Sequence, residues 1–275
     1  MENENIGLGK IEFPSENWLE QARYEYLTEE NFFLQEYIDI DNMVNSWNKV
    51  RERGLPSGRT YDVSSGTGFY IAPGYILTNQ HVVTDCLNIS IRGSVDPAAA
   101  VLFADDKDID LALIKTDATP PKIASFRNND GLSVGSKIFA IGYPLDHGED
   151  GLSSFKDGAI TIMNLPIKNS KEIEFTNIID KGNSGGPLID TSGNVVGVIN
   201  AKKHYYHNSK DANSNVNSYK IHGLAIGLSL IDQFLHKYNI GYTSSGSYSF
   251  LNNLQIESQA KDYIVNIHCI QNKNT

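Results

Sequence analysis

Two cysteines, Cys86 and Cys269, are all that this 275-residue chain contains. A disulfide-rich scaffold is thereby excluded, and the wide separation of the pair predicts a reducing compartment, with one long-range bridge as the alternative. No apolar run approaches the eighteen or so residues that a membrane-spanning helix needs. The first twenty residues carry Glu2, Glu4, Glu12 and Glu16 and no apolar run, the reverse of a basic, hydrophobic export signal. The expected location is cytoplasmic, or exported without a classical signal peptide. Positive charge is also short. Lys plus Arg number 23 against 33 Asp plus Glu, a net charge of −10, so a nucleic-acid partner is disfavoured. With 40% apolar residues and 23 glycines, the chain is globular and long enough for one large or two small domains.

Charge and periodicity divide the chain. Residues 1–60 hold twelve acidic and six basic residues. Apolar residues there step by three and four, at Trp18, Ala22 and Tyr26 and then Phe33, Tyr37, Ile40, Val44 and Trp47, which predicts two or three helices over an extension of residues 1–57. That stripe either packs against the rest of the protein or receives a protein partner. From Tyr61 the pattern changes to short β-branched and aromatic runs between turn residues: 68–71, 75–78, 88–91, 111–115, 137–141, 160–163, 172–176, 195–200 and 223–226. Many short strands of this kind predict a mainly β domain, a barrel or sandwich. Lys202 to Ser218 reads as a polar loop, Ser229 to Tyr238 as a helix, and Tyr242 to Ser249 as a linker. The spacing of Ile256, Ala260, Tyr263, Ile267 and Ile270 predicts a terminal helix.

The strongest chemical signal is Lys181-Gly-Asn-Ser-Gly-Gly-Pro-Leu188. A serine between glycines sits on a tight turn that leaves room for an approaching carbonyl, and the N–H groups of Gly182 and Ser184 can converge as an oxyanion hole. A serine nucleophile needs a base. His81 supplies one at the end of the apolar run Tyr75-Ile-Leu-Thr-Asn-Gln-His81. An orienting acid is offered in Asp105-Asp-Lys-Asp-Ile-Asp-Leu-Ala-Leu-Ile-Lys115, where Asp110 adjoins the buried run and Asp108 shares its face by period two.

These pieces, with Ser65-Gly-Thr-Gly-Phe69, Ile141-Gly-Tyr-Pro144 and Gly223-Leu-Ala-Ile226, resemble a trypsin-like serine protease of the chymotrypsin fold, closest to the high-temperature-requirement (Deg-type) branch. His81, Asp110 and Ser184 occur in that family's order, 29 and 74 residues apart. The resemblance spans roughly residues 62–235 and neither flank. It implies two six-stranded antiparallel β-barrels, at about 61–127 and 128–235 of a protease domain over 58–235, with helical N-terminal and C-terminal extensions, the latter over 236–275. A serine endopeptidase with His81, Asp110 and Ser184 as catalytic triad and Gly182 and Ser184 as oxyanion donors follows, acting on protein or peptide substrates without metal or organic cofactor. A catalytically silent peptide-binding or regulatory module of the same fold is the alternative. The roughly forty residues after the barrels leave no room for the peptide-binding domain that Deg-type enzymes usually append.

Asn183 stands where secreted trypsins place an activating Asp, so cleavage-dependent activation is not expected. The resemblance puts a primary pocket at Ile178, Ile199, Asn200, Ala201, Lys202 and Gly223. Its apolar Ile178 argues for an aliphatic or aromatic residue before the scissile bond. Three weaker signals fail on inspection. Gly66-Thr67-Gly68 lacks the third glycine and helix of a dinucleotide loop, Asp106, Asp108 and Asp110 lack the glycine of a calcium loop, and His204 and His207 lack further ligands.

Overall fold

The computed structural model describes residues 8–11, 61–128, 131–144, 153–167, 170–176, 179–207, 218–246 and 249–272. The helical stripe expected between Trp18 and Trp47 lies outside them, as does Ile178. In chain order the strands are β1 (Leu8–Ile11), β2 (Tyr61–Ala72), β3 (Tyr75–Thr78), β4 (Asn88–Gly93), β5 (Ala98–Asp106), β6 (Leu111–Lys115), β7 (Ser125–Arg127), β8 (Lys137–Gly142), β9 (Ser154–Ile167), β10 (Ser170–Phe175), β11 (Pro187–Asp190), β12 (Val195–His207), β13 (Ser218–Gly227), β14 (Thr243–Ser245) and β15 (Ile264–Asn272). Helices α1 (Gln80–Val83), α2 (Leu228–Lys237) and α3 (Asn253–Lys261) interrupt them.

Two closed antiparallel barrels of six strands each result. In the first, β2 is followed by β15, β4, β5, β6 and β3, and β3 returns to β2. Outside the circle, β1 adds to β2. The second runs β11, β8, β9, β10, β13, β12 and back to β11. Closure removes the exposed edges that an open sheet of such β-branched strands would offer. Strand β7 lies parallel beside β12, and β14 lies parallel beside β7. One apolar core fills the first barrel and continues under α2 and α3, and a second, around Ile138, Phe175, Leu188 and Ile199, fills the other barrel.

The terminal segment corrects the sequence reading. A helix forms only through Lys261, capped reciprocally by Asn252 and Gln255, and the chain then extends as β15, nine residues in register with β2 and six with β4. Val265, Ile267 and Cys269 also alternate with period two, and all three are fully buried in the first barrel. Two open neighbouring strands decide between the two periodicities in favour of the strand. A first barrel over 61–127 alone is therefore incomplete.

Threading β15 into that barrel also brings Cys269 to Cys86, and the two form a disulfide. The inference of a reducing compartment, drawn from their separation in sequence, loses its basis. The loop expected from Lys202 is shorter than predicted. β12 continues to His207 and pairs with β13 from Ala201↔Leu224 to His207↔Ser218, because Lys203 and Tyr205 find a buried carboxylate, that of Glu174, across the sheet.

Candidate active site

His81 lies in the single turn α1, directly after β3. Asn79 precedes it without capping the turn through its own side chain. Instead Asn79 Nδ2 and the Gln80 N–H both donate to the Asp110 carbonyl, at 2.9 and 3.3 Å. Asp110 sits just before β6 with φ of 55°, the left-handed region that Asp tolerates better than most residues. Its carboxylate thereby turns back onto α1. Oδ1 accepts the His81 backbone N–H at 2.9 Å and Oδ2 pairs with the His81 ring Nδ1 at 2.8 Å. Both oxygens are engaged, so the imidazole is oriented with Nε2 as its other face. Asp108, the other acid on the predicted face, donates its N–H to Asp106 Oδ1 in an exposed turn.

Ser184 lies in the turn before β11. The turn is held by Asn183 N–H to Asp180 O, Gly186 N–H to Asn183 O, and two bonds with β12, Gly185 N–H to Ile199 O and Ile199 N–H to Gly186 O. Gly185 has φ of +84°, and a Cβ there would lie 2.1 Å from the Thr67 carbonyl, so glycine is required for both conformation and space. The backbone N–H groups of Gly182 and Ser184 meet no acceptor among the described residues. Ser184 Oγ donates to the Asn200 carbonyl at 3.2 Å, and among the described residues no hydrogen bond joins it to His81.

Sequence reasoning missed Thr67, a fully buried residue of β2 that ties the two barrels together at this turn. Its N–H donates to Ser184 O at 2.9 Å and its hydroxyl to Gly182 O at 2.6 Å. The same hydroxyl accepts the Tyr143 N–H, and the Thr67 carbonyl accepts Thr78 Oγ1. The available signal was the polar Thr67 inside the otherwise apolar Gly66 to Ile71 run.

Of the expected pocket residues, Asn200 is itself the acceptor of Ser184 Oγ, Ala201 and Lys202 follow it along β12, and Gly223 pairs with Lys202. The Phe175 ring packs against Gly223, 2.3 Å from where a Cβ would stand. Ile199 belongs to the core of the second barrel with no exposed surface. Asp180 is paired with Lys156 at 2.5 Å. No group of three or more His, Cys, Asp or Glu able to hold a metal ion occurs among the described residues.

Against this geometry, the family model of the trypsin-like peptidase domain matches residues 66–198, a span that contains His81, Asp110, Gly182 and Ser184. A probable periplasmic serine endoprotease of the DegP-like type from Pseudomonas fulva is 34% identical over 176 residues, covering 58% of this chain and 36% of the relative. A DegP-like protein of Chlamydia pneumoniae is 35% identical over 164 residues, covering 54% and 32%. The chain thus spans about a third of the length of these curated relatives. Among solved structures, the HtrA-type protease AlgW with a tripeptide superposes with a TM-score of 0.50 at 25% identity, over 67% of this chain and 58% of that one. The chain therefore carries a trypsin-like peptidase domain, homologous to the DegP-like serine endoproteases.

Proposed function

We propose that this domain is a serine endopeptidase in which Ser184 is the nucleophile, His81 the general base and Asp110 the orienting acid. The observation that carries the reading is the two-point grip of the Asp110 carboxylate on His81. With Nδ1–H directed at Asp110, Nε2 is the nitrogen left to take the Ser184 proton as Oγ attacks a carbonyl, and to return it to the leaving amine. The unpaired N–H groups of Gly182 and Ser184 are suited to the developing oxyanion, a contribution of roughly 3 to 4 kcal/mol per donor. Beyond Val198, β11 no longer accompanies β12. An extended peptide can therefore add along Asn200 to Lys202, with a side chain directed at the region of Gly223. The apolar surroundings of Gly223 and Phe175 favour an aliphatic or aromatic side chain there. The disulfide favours an oxidising compartment, in line with export rather than cytoplasmic residence.

The silent-module reading has one observation in its favour, the hydrogen bond of Ser184 Oγ to Asn200 rather than His81. Catalytic hydrogen bonds are often long before substrate binds. Labelling by a fluorophosphonate probe separates the readings. The wild-type chain is expected to label at Ser184 and the Ser184→Ala variant to remain unlabelled, whereas an unlabelled wild type would establish the silent module.

A further inference from the structure

Outside the triad, a dense polar cluster among the described residues surrounds Glu174, a residue that the reaction above does not use. Its side chain on β10 is 2% exposed. The Tyr205 hydroxyl reaches both carboxylate oxygens at 2.9 and 2.7 Å, His222 Nδ1 lies at 2.6 Å, Lys203 Nζ at 3.1 Å and Thr161 Oγ1 at 3.4 Å. This is a complete anion site filled by the protein's own carboxylate. Burying an ionised group is costly unless every lone pair is satisfied, and an apolar residue would serve stability as well.

The placement of the donors gives the cluster its meaning. In the second barrel β13 lies between β10 and β12, so Glu174 bonds His222 on the neighbouring strand and reaches past it to Lys203 and Tyr205. Lys203 and His222 are register partners. The clamp therefore ties three consecutive strands against sliding. Sliding matters here because the β12–β13 pairing shifts between Ile199 and Ala201, a bulge centred on Asn200, whose carbonyl holds Ser184 Oγ. Next to a bulge, register is set by few bonds, and a slip of one residue turns each following side chain to the other face. Glu172, on the same face of β10, accepts from Asn200 Nδ2 at 3.5 Å, while Phe175 on the opposite face backs Gly223.

We infer that Glu174 is a positioning residue for substrate: its carboxylate, held by Tyr205, His222 and Lys203, fixes the height and register of β12 from Asn200 to Lys203, the edge that receives the extended peptide. The inference rests on the peptidase reading above. Its distinguishing consequence is that the function of Glu174 can be supplied by a free carboxylate.

The test uses the full-length chain and an internally quenched peptide that extends to both sides of the scissile bond. Glu174→Ala should raise KM roughly tenfold or more, the effect of losing charge-assisted hydrogen bonds, while kcat and the rate of fluorophosphonate labelling stay within about twofold. Added formate or acetate should restore KM in Glu174→Ala and leave Glu174→Gln, whose amide fills the site, unchanged. Should Glu174→Ala fail to fold, Tyr205→Phe removes one donor with little change of shape and should raise KM in the same sense. An unchanged KM in the folded variant, or a loss shared by kcat that carboxylate does not repair, would overturn the inference alone. A wild-type chain that neither labels nor cleaves would overturn the peptidase reading and this inference with it.

Discussion

At the scale of single residues, the site is an arrangement in which backbone position and side-chain chemistry are fixed by the same bonds. Because Ser184 and His81 act as a unit in the proposed mechanism, Ser184→Ala and His81→Ala should each remove nearly all turnover, and the double variant should be little worse than either. Multiplicative losses would refute the assignment. Asp110→Asn should be crippled through the wrong imidazole tautomer, with Asp108→Asn close to wild type. Thr67 is a subtler target. Thr67→Val keeps the shape but strands the Gly182 carbonyl and the Tyr143 N–H, so the melting temperature should fall by the equivalent of about 1 to 3 kcal/mol. Probe labelling should slow as the oxyanion turn loosens. An unaltered labelling rate would reduce Thr67 to a purely structural tie.

At the scale of elements, the most consequential is β15. A chain ending at residue 252 lacks α3 and β15 and leaves β2 and β4 without their shared partner. Unpaired edges of that length promote aggregation, so the truncated protein should be recovered as aggregate; a monomer that labels at the wild-type rate would contradict this. Reduction of Cys86–Cys269, or Cys269→Ser, should lower stability by up to about 5 kcal/mol on the loop-closure model for so long a loop. Turnover should fall alongside, since Cys86 follows the turn that carries His81 and Gln271 on β15 donates to the Thr84 carbonyl.

The elements also mark what was legible in sequence. Strands such as Tyr75–Thr78 and Leu111–Lys115 carry their own apolar pattern and turn signals, and the motif order alone points to His81, Asp110 and Ser184. Strand β15 was misread because Ile256, Ala260, Tyr263, Ile267 and Ile270 fit helical spacing as well as Val265, Ile267 and Cys269 fit a strand. Only a partner some two hundred residues distant, Phe69 to Tyr61 on β2, resolves that ambiguity. The Glu174 cluster and the Thr67 tie were invisible for a related reason, since each joins residues from separate strands by bonds that no local pattern encodes.

At the scale of the whole molecule, two buried groups set the response to acid. His268, enclosed on β15 and facing the positive charge of Arg92, is pushed down to about 4 by burial above all. The unfolded chain takes up that proton near 6.5 and the folded one does not, so stability is lost as pH falls between those values. Burial opposes ionisation of Glu174, but hydrogen bonds from Tyr205, His222 and Lys203 and the charge of Lys203 outweigh it, holding the group below its ordinary 4.5. Its contribution is full above that value and is lost as pH falls through the lower folded one. Thermal melts should therefore decline in two stages, and His268→Gln should flatten the first, from about pH 6.5 to 4.5, while sparing the second. A variant that melts with the wild-type slope in that window would show that His268 is not the group titrating. The position of β15 has a further consequence for the making of the protein. Five strands of the first barrel have left the ribosome once Lys115 emerges, yet the sixth is about 150 residues behind them, a wait of roughly 8 to 30 s at ordinary rates of synthesis. His81 and Asp110 are held on an unfinished barrel throughout that time, so a nascent chain with the proposed peptidase activity would complete its site only after nearly all of it has been made.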